Sequence, residues 1–211
     1  MSTVAALYVQ SGGCYFGLDG VDPWDQRRDA RKYAGPWPAV AHPPCARWGA
    51  YATGGPGAFA WLPGMQPAKG DDCGCFASAL ESVRRWGGVI EHPARSHAWQ
   101  FFGLNAPPPA GGWAKADEHG WTCHVEQGAY GHRARKATWL YAVGCELPEL
   151  RWGPAAGDFV PESDGRSRDD MVRAGMVSRL SKRERAATPP EFRDLLISIA
   201  RSASAQRKAA A

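Results

Sequence analysis

The run Ala39-Val40-Ala41-His42-Pro43-Pro44-Cys45 constrains this chain more than any other stretch. Its apolar start reads as the end of a buried strand. Two prolines, which lack a backbone donor and hold φ near −65°, must stop that strand where they stand. The residue presented directly after the stop is Cys45. In open α/β sheets ligands bind at the carboxyl edge of the strands, so a thiol carried there by a stiff turn is a candidate nucleophile. The alternative is a small packed apolar residue, the ordinary role of a reduced cysteine.

A second stretch repeats the design. Gly88-Val89-Ile90-Glu91-His92-Pro93 is again a short apolar run ending in a polar residue and a proline, which places Glu91 at the same sheet edge as Cys45. Two strands finished in this way predict one shared pocket. The first strand, Val4 to Val9, runs into Gln10-Ser11-Gly12-Gly13, where glycines allow a tight turn or a close approach to a ligand. The turn lacks the full GxGxxG spacing, and an ordinary turn remains the alternative. Asp22-Pro23-Trp24-Asp25 reads as a helix start, with Asp22 as cap and Pro23 at the first helical position, continued by the charged segment 26–33.

Asp71-Asp72 open a further helix, with Cys73, Phe76, Leu80 and Val83 on one face and Gly87-Gly88 as its stop. Cys73 and Cys75 read as helix residues, because a CxC without a second pair does not make a zinc site; no metal is expected. Ala94 to Phe102 reads as a short helix and 105–112 as a linker. Two more strands follow, 121–126 and 137–143. The loop between them, with His132, Arg133, Arg135 and Lys136, suits a phosphate or a polar base edge, or is a solvated basic turn. Residues 53–70 read as a long Gly/Pro loop, a lid or a disordered excursion. At the C-terminus, Thr188 to Glu191 forms a capping box, and Phe192, Leu195, Leu196 and Ile199 form the apolar face of a last helix.

Composition sets outer limits. The 211 residues suffice for one domain with a real core. With 25 Lys+Arg against 21 Asp+Glu, the net charge of +4 permits a nucleic-acid partner without requiring one. No apolar run approaches the roughly 18 residues of a membrane span. The N-terminus shows no signal-peptide pattern, so a reducing cytoplasm is the expected compartment, for a bacterial or a phage-encoded protein.

The order of these pieces (strand, glycine turn, Pro43-Pro44-Cys45, Glu91-His92-Pro93, then Tyr130-Gly131 with a basic segment and a strand) resembles the cytosine-C5 DNA methyltransferase family, in particular its compact phage-type members. Pro43-Pro44-Cys45 matches the family's Pro-Cys nucleophile loop, and Glu91-His92-Pro93 its Glu-Asn-Val or Glu-Asn-Pro motif. The segment from Tyr130 to Gly144 matches its Gln-x-Arg-x-Arg motif and following strand, and Thr188-Pro189-Pro190-Glu191 its last motif. The resemblance implies an α/β fold, a Rossmann-like methyltransferase-type sheet with flanking helices and a reduced N-terminal half. It implies a single catalytic domain over 1–150 plus 182–205, with a short polar insertion at 151–181 in place of a target-recognition domain.

It also implies a mechanism. Cys45 adds to C6 of a cytosine, which makes C5 nucleophilic; Glu91 acts as general acid at N3; Arg133 or Arg135 holds O2 or a phosphate. Ser11, Gly12, Gly13 and Asp22, the last with Asp19 and Asp25 as alternatives, would hold S-adenosylmethionine, and His42, Arg47, His92, Lys136 and Thr138 would contact the substrate. The partner is DNA, duplex or single strand, with the target base flipped out. The sequence departs from the family pattern in its glycine turn, in His92 where the motif has Asn, and in Arg-Ala-Arg-Lys-Ala-Thr for the basic motif. Two other readings keep these residues: a pyrimidine-modifying enzyme of a phage pathway that does not use S-adenosylmethionine, and a non-catalytic DNA-binding relative without the cofactor pocket.

Overall fold

A computed structural model describes residues 2–50, 52, 68–155 and 180–209. Among these, seven strands form one sheet in the order β2-β1-β3-β4-β7-β6-β5. They are β1 (Val4–Leu7), β2 (Val21–Trp24), β3 (Ala39–Ala41), β4 (Gly88–Pro93), β5 (Ala114–Lys115), β6 (Trp121–Glu126) and β7 (Ala137–Val143). The half containing β2, β1, β3 and β4 is parallel, and β7, β6 and β5 pair antiparallel beyond β4. The helices are α1 (Cys75–Trp86), α2 (His97–Phe101), α3 (Lys182–Ala186) and α4 (Pro190–Ala209). The architecture is thus mixed α/β with flanking helices. No described helix is long and apolar enough to cross a membrane.

The strand alternation of period two divides the core between the two faces. Val4, Ala6, Val40 and Val89 point to one side and pack with Phe192, Leu196, Ile199 and Ala200 of α4. Ala5, Leu7, Ala39, Ala41 and Ile90 point to the other and pack with Phe76, Ala79, Leu80 and Val83 of α1. Burying each such Leu, Val or Phe stabilises the fold by roughly 1.5–3 kcal/mol. The last helix carries the expected apolar face, although it begins at Pro190, with the Pro189 carbonyl accepting from Arg193 N at 2.9 Å.

Two expectations are corrected. Residues 21–24 form an edge strand rather than a helix start, parallel to β1 with Val4 opposite Val21 and Leu7 opposite Trp24. Pro23 is tolerated because β2 ends the sheet and no further strand needs its missing donor. The segment after it is a turn held by the Asp25 carboxylate, which accepts from the backbone N–H groups of Arg27 and Arg28, followed by a single 3-10 turn at Ala30–Lys32. The second correction concerns α1, which starts at Cys75, so Cys73 lies outside it with φ +58°. Asp72 still serves the helix start: its carboxylate accepts from Phe76 N (2.8 Å), Gly74 N (3.0 Å) and the buried Trp48 Nε1 (2.8 Å). Most of the 53–70 loop, and residues 156–179 of the expected polar insertion, lie outside the described residues.

Candidate active site

The parallel sheet changes direction at β1. The chain leaves β1 to form β2 on one side, then returns to place β3 on the other. Such a switch point opens a crevice at the carboxyl ends of the two diverging strands. Two segments leave the sheet there: the glycine turn after β1, and His42 to Cys45 after β3. His42 extends the ladder by one bond, its N–H donating to the Leu7 carbonyl at 3.0 Å. Cys45 is exposed at the end of this segment, and its carbonyl accepts from Trp48 N at 3.0 Å in a closing turn.

Strand β4 is the parallel neighbour of β3, with Ala41 opposite Ile90, so Glu91 emerges beside His42. Nδ1 of His42 lies 2.9 Å from Glu91 Oε2. On the far side of the imidazole, the Tyr15 hydroxyl lies 2.8 Å from Nε2. The other Glu91 oxygen accepts from Gln127 Nε2 at 3.0 Å, and Gln127 also donates to Thr138 Oγ1 at 3.0 Å. The result is a continuous polar chain, Tyr15–His42–Glu91–Gln127–Thr138, across the edge of the sheet. Gln127 and Thr138 are fully buried, and the Glu91 side chain is 10% exposed.

Burial by itself would raise the Glu91 pKa. The hydrogen bond and charge of His42, with Lys136 and His92 nearby, outweigh it and hold the carboxyl at about 2. Tyr15, buried, is pushed well above the ordinary phenol range. Lys136 is half-buried, and its ammonium donates to the Ala187 (2.7 Å) and Ala186 (3.3 Å) carbonyls at the end of α3. Burial lowers its pKa, while Glu91, Cys45 and Cys14 pull it back up, which puts one cation within electrostatic reach of the carboxylate and of both thiols.

The remaining predicted residues divide. His92 alternates to the opposite face from Glu91, where it is 1% exposed between the rings of Phe76 and Trp99; burial lowers its pKa to about 4. Arg47 Nη1 donates to the Ala52 carbonyl. Arg133 pairs with Glu184 at 2.6 Å, and Arg135 lays its fork on Glu126 at 2.8 and 2.6 Å. Both guanidinium groups are thus engaged within the protein. On the cofactor side, Ser11 donates to Asp25 at 2.6 Å, and this bond, ahead of those from Arg28 and Arg27, lowers the Asp25 pKa. Asp22 is held by Arg28 at 2.5 Å and by Trp24 Nε1 at 2.8 Å. Gly12 has φ +64°, and a side chain there would meet nothing within 4 Å; Gly13 closes the turn, donating to the Gln10 carbonyl at 2.9 Å.

Sequence reasoning missed Tyr15 and Gln127. Neither carries a spacing signal: one lies in an irregular turn and the other directly after the end of β6. A separate cleft of about 470 Å3 on the outer side of α1, lined by Leu80, Arg84, Arg85, Phe102 and His119 among others, contains none of these groups.

Fold and site together define an α/β protein in which parallel neighbours bring a cysteine-bearing turn and a histidine–carboxylate pair to one sheet edge. Comparisons with protein-family models, with curated proteins and with solved structures found no match.

Proposed function

We propose that this protein is a DNA cytosine-C5 methyltransferase-like enzyme that works through a covalent bond between Cys45 and C6 of the target pyrimidine. The observation that carries the reading is the β3–β4 pairing. It sets the Pro43-Pro44-Cys45 turn beside Glu91 at the switch point of a parallel sheet, with the exposed thiol and the carboxylate both in the field of Lys136.

The chemistry needs these three functions together. Cytosine C5 is not nucleophilic until a thiolate adds to C6 and the ring electrons shift toward C5 and N3. A cation near the sulfur favours the thiolate over the thiol, and Lys136, whose pKa responds to the charge of Cys45, is the candidate for that cation. Proton delivery to N3 relieves the charge that addition places there, and Glu91 is the group that would supply it.

The glycine turn fits an adenosine-type methyl donor. Space is open above Gly12, and the Asp25 carboxylate, oriented by Ser11, retains capacity for another hydrogen bond after its three protein donors. S-adenosylmethionine bound there would supply an electrophilic methyl group. Asp25 replaces Asp22 as the acid best placed for that role, because Ser11 links it directly to the turn while Asp22 is closed by Arg28.

The test is incubation of the full chain with S-adenosylmethionine and DNA oligonucleotides containing 5-fluorocytosine, read by mass spectrometry. The expected result is a stable protein–DNA adduct that Cys45→Ser abolishes. Equal behaviour of wild type and Cys45→Ser overturns the covalent mechanism. Adduct formation without heat of S-adenosylmethionine binding in calorimetry transfers the protein to a pathway with another donor.

A further inference from the structure

We infer that His42 is the proton-holding partner of Glu91, and that Tyr15 keeps its imidazole in place through either protonation state. This inference rests on the covalent mechanism proposed above and names two positioning residues which that mechanism does not require. Glu91 has one oxygen on His42 and the other on Gln127 Nε2, both contacts from nitrogen at hydrogen-bond distance, and both favour the ionised form. An ionised carboxylate has no proton to deliver. The nearest group able to hold one is the imidazole at 2.9 Å.

Tyr15 makes that store workable. A tyrosine hydroxyl carries acceptor lone pairs, so it accepts from Nε2–H of the imidazolium and equally from Nε2–H of the neutral ring that has given up its Nδ1 proton. The ring therefore keeps a partner at 2.8 Å as its charge changes. The groups around the pair come from several elements. Tyr15 and Cys14 lie in the connection after β1, Cys45 on His42's own segment, Glu91 and His92 on β4, Lys136 before β7, and Arg193 and Asp194 on α4 behind Tyr15.

The Cys45 sulfur forms a bond to C6, the C5–C6 π pair becomes the C4–C5 double bond, and the C4–N3 π pair goes to N3. N3 takes a proton from Glu91 Oε2, which receives one from His42 Nδ1, leaving a neutral imidazole whose remaining proton faces Tyr15. When C5 of the adduct takes up a solvent hydrogen and then gives its original hydrogen to water as a proton, the C4–C5 double bond is restored, and reversal of the addition releases Cys45 and a cytosine exchanged at C5 without any methyl donor.

That exchange is the test. The full chain is incubated in D2O with single- and double-stranded DNA containing cytosine, and deuterium at C5 is followed by mass spectrometry from pH 5.5 to 9. Wild type is expected to exchange at a rate that varies with pH. His42→Gln is expected to slow exchange at least 100-fold and to change the shape of that pH profile; Tyr15→Phe, which keeps the ring and loses only the hydroxyl, is expected to slow it several-fold and to displace the profile. No exchange by wild type overturns the covalent mechanism and this inference with it. Exchange by wild type, with Tyr15→Phe and folded His42→Gln matching it in rate and pH profile, overturns the inference alone.

Discussion

Nδ1 of His42 and Oε2 of Glu91 meet at 2.9 Å across two neighbouring parallel strands, although the residues are separated by 49 positions in the chain. The contact exists because β3 and β4 pair in register at Ala41 and Ile90, and the next residue of each strand, His42 and Glu91, follows in that register before the prolines at 43 and 93. Whatever holds that register holds the site.

Gly88 is one such element. It has φ +129°, and a Cβ there would stand 2.0 Å from the Ala39 carbonyl oxygen, in the strand that leads to Cys45. Gly88→Ala is expected to destabilise the protein by roughly 3–5 kcal/mol through backbone strain and overpacking. Urea unfolding measures it, and a loss under 1 kcal/mol contradicts the close β3–β4 approach.

Trp48 anchors the other end of the cysteine turn. It is 2% exposed, its indole N–H donates to Asp72 at 2.8 Å, and its carbonyl accepts from His97 N at 2.9 Å. Trp48→Phe removes the bond to a carboxylate, at an expected cost of about 1.5–3 kcal/mol, and the smaller ring adds a packing loss to it. Chemical denaturation of the variant beside wild type tests this, and equal midpoints would show the bond to be without effect.

The six cysteines should separate by reactivity. Cys45 and Cys73 are exposed, whereas Cys123 and Cys145 are buried, and burial pushes Cys145 up to about 11. Alkylation by iodoacetamide at pH 7.5 is expected to label Cys45 and Cys73 first and to leave Cys123 and Cys145 unlabelled until the protein unfolds. Peptide mass spectrometry reads the order directly. Early labelling of Cys123 is incompatible with its place in the core.

Acid stability has two windows with the same sign. His92 falls from an ordinary 6.5 to about 4, so between those values the unfolded chain binds a proton that the folded protein refuses. Its contribution is present above about 6.5 and is lost as pH falls toward 4, on the order of 3 kcal/mol. Glu91 falls from 4.5 to about 2, so its contribution is present above 4.5 and disappears on acidification toward 2. His92→Phe is expected to flatten the stability profile between pH 6.5 and 4. Unfolding free energies at pH 7, 5.5 and 4 decide the matter, and an unchanged slope means that His92 is not the residue responsible.

The sequence by itself determined the apolar segments and their stops. The runs ending at Pro43 and Pro93, the strands at 121–126 and 137–143, and the apolar face of α4 were legible because period-two and period-3.6 patterns and proline stops are local properties. From the two proline-ended runs came the expectation that Cys45 and Glu91 share an edge, and the parallel pairing of β3 with β4 delivers it. Asp22-Pro23 misled, because a cap followed by proline looks the same before a helix as in an edge strand; only the pairing of Val21 to Trp24 with β1 separates the two. The partners of the site were decided by tertiary structure alone. Tyr15, Gln127 and the links of Arg133 to Glu184 and Arg135 to Glu126 depend on where loops and α3 come to rest. No local pattern encodes a hydrogen bond between side chains that meet only when the sheet has assembled.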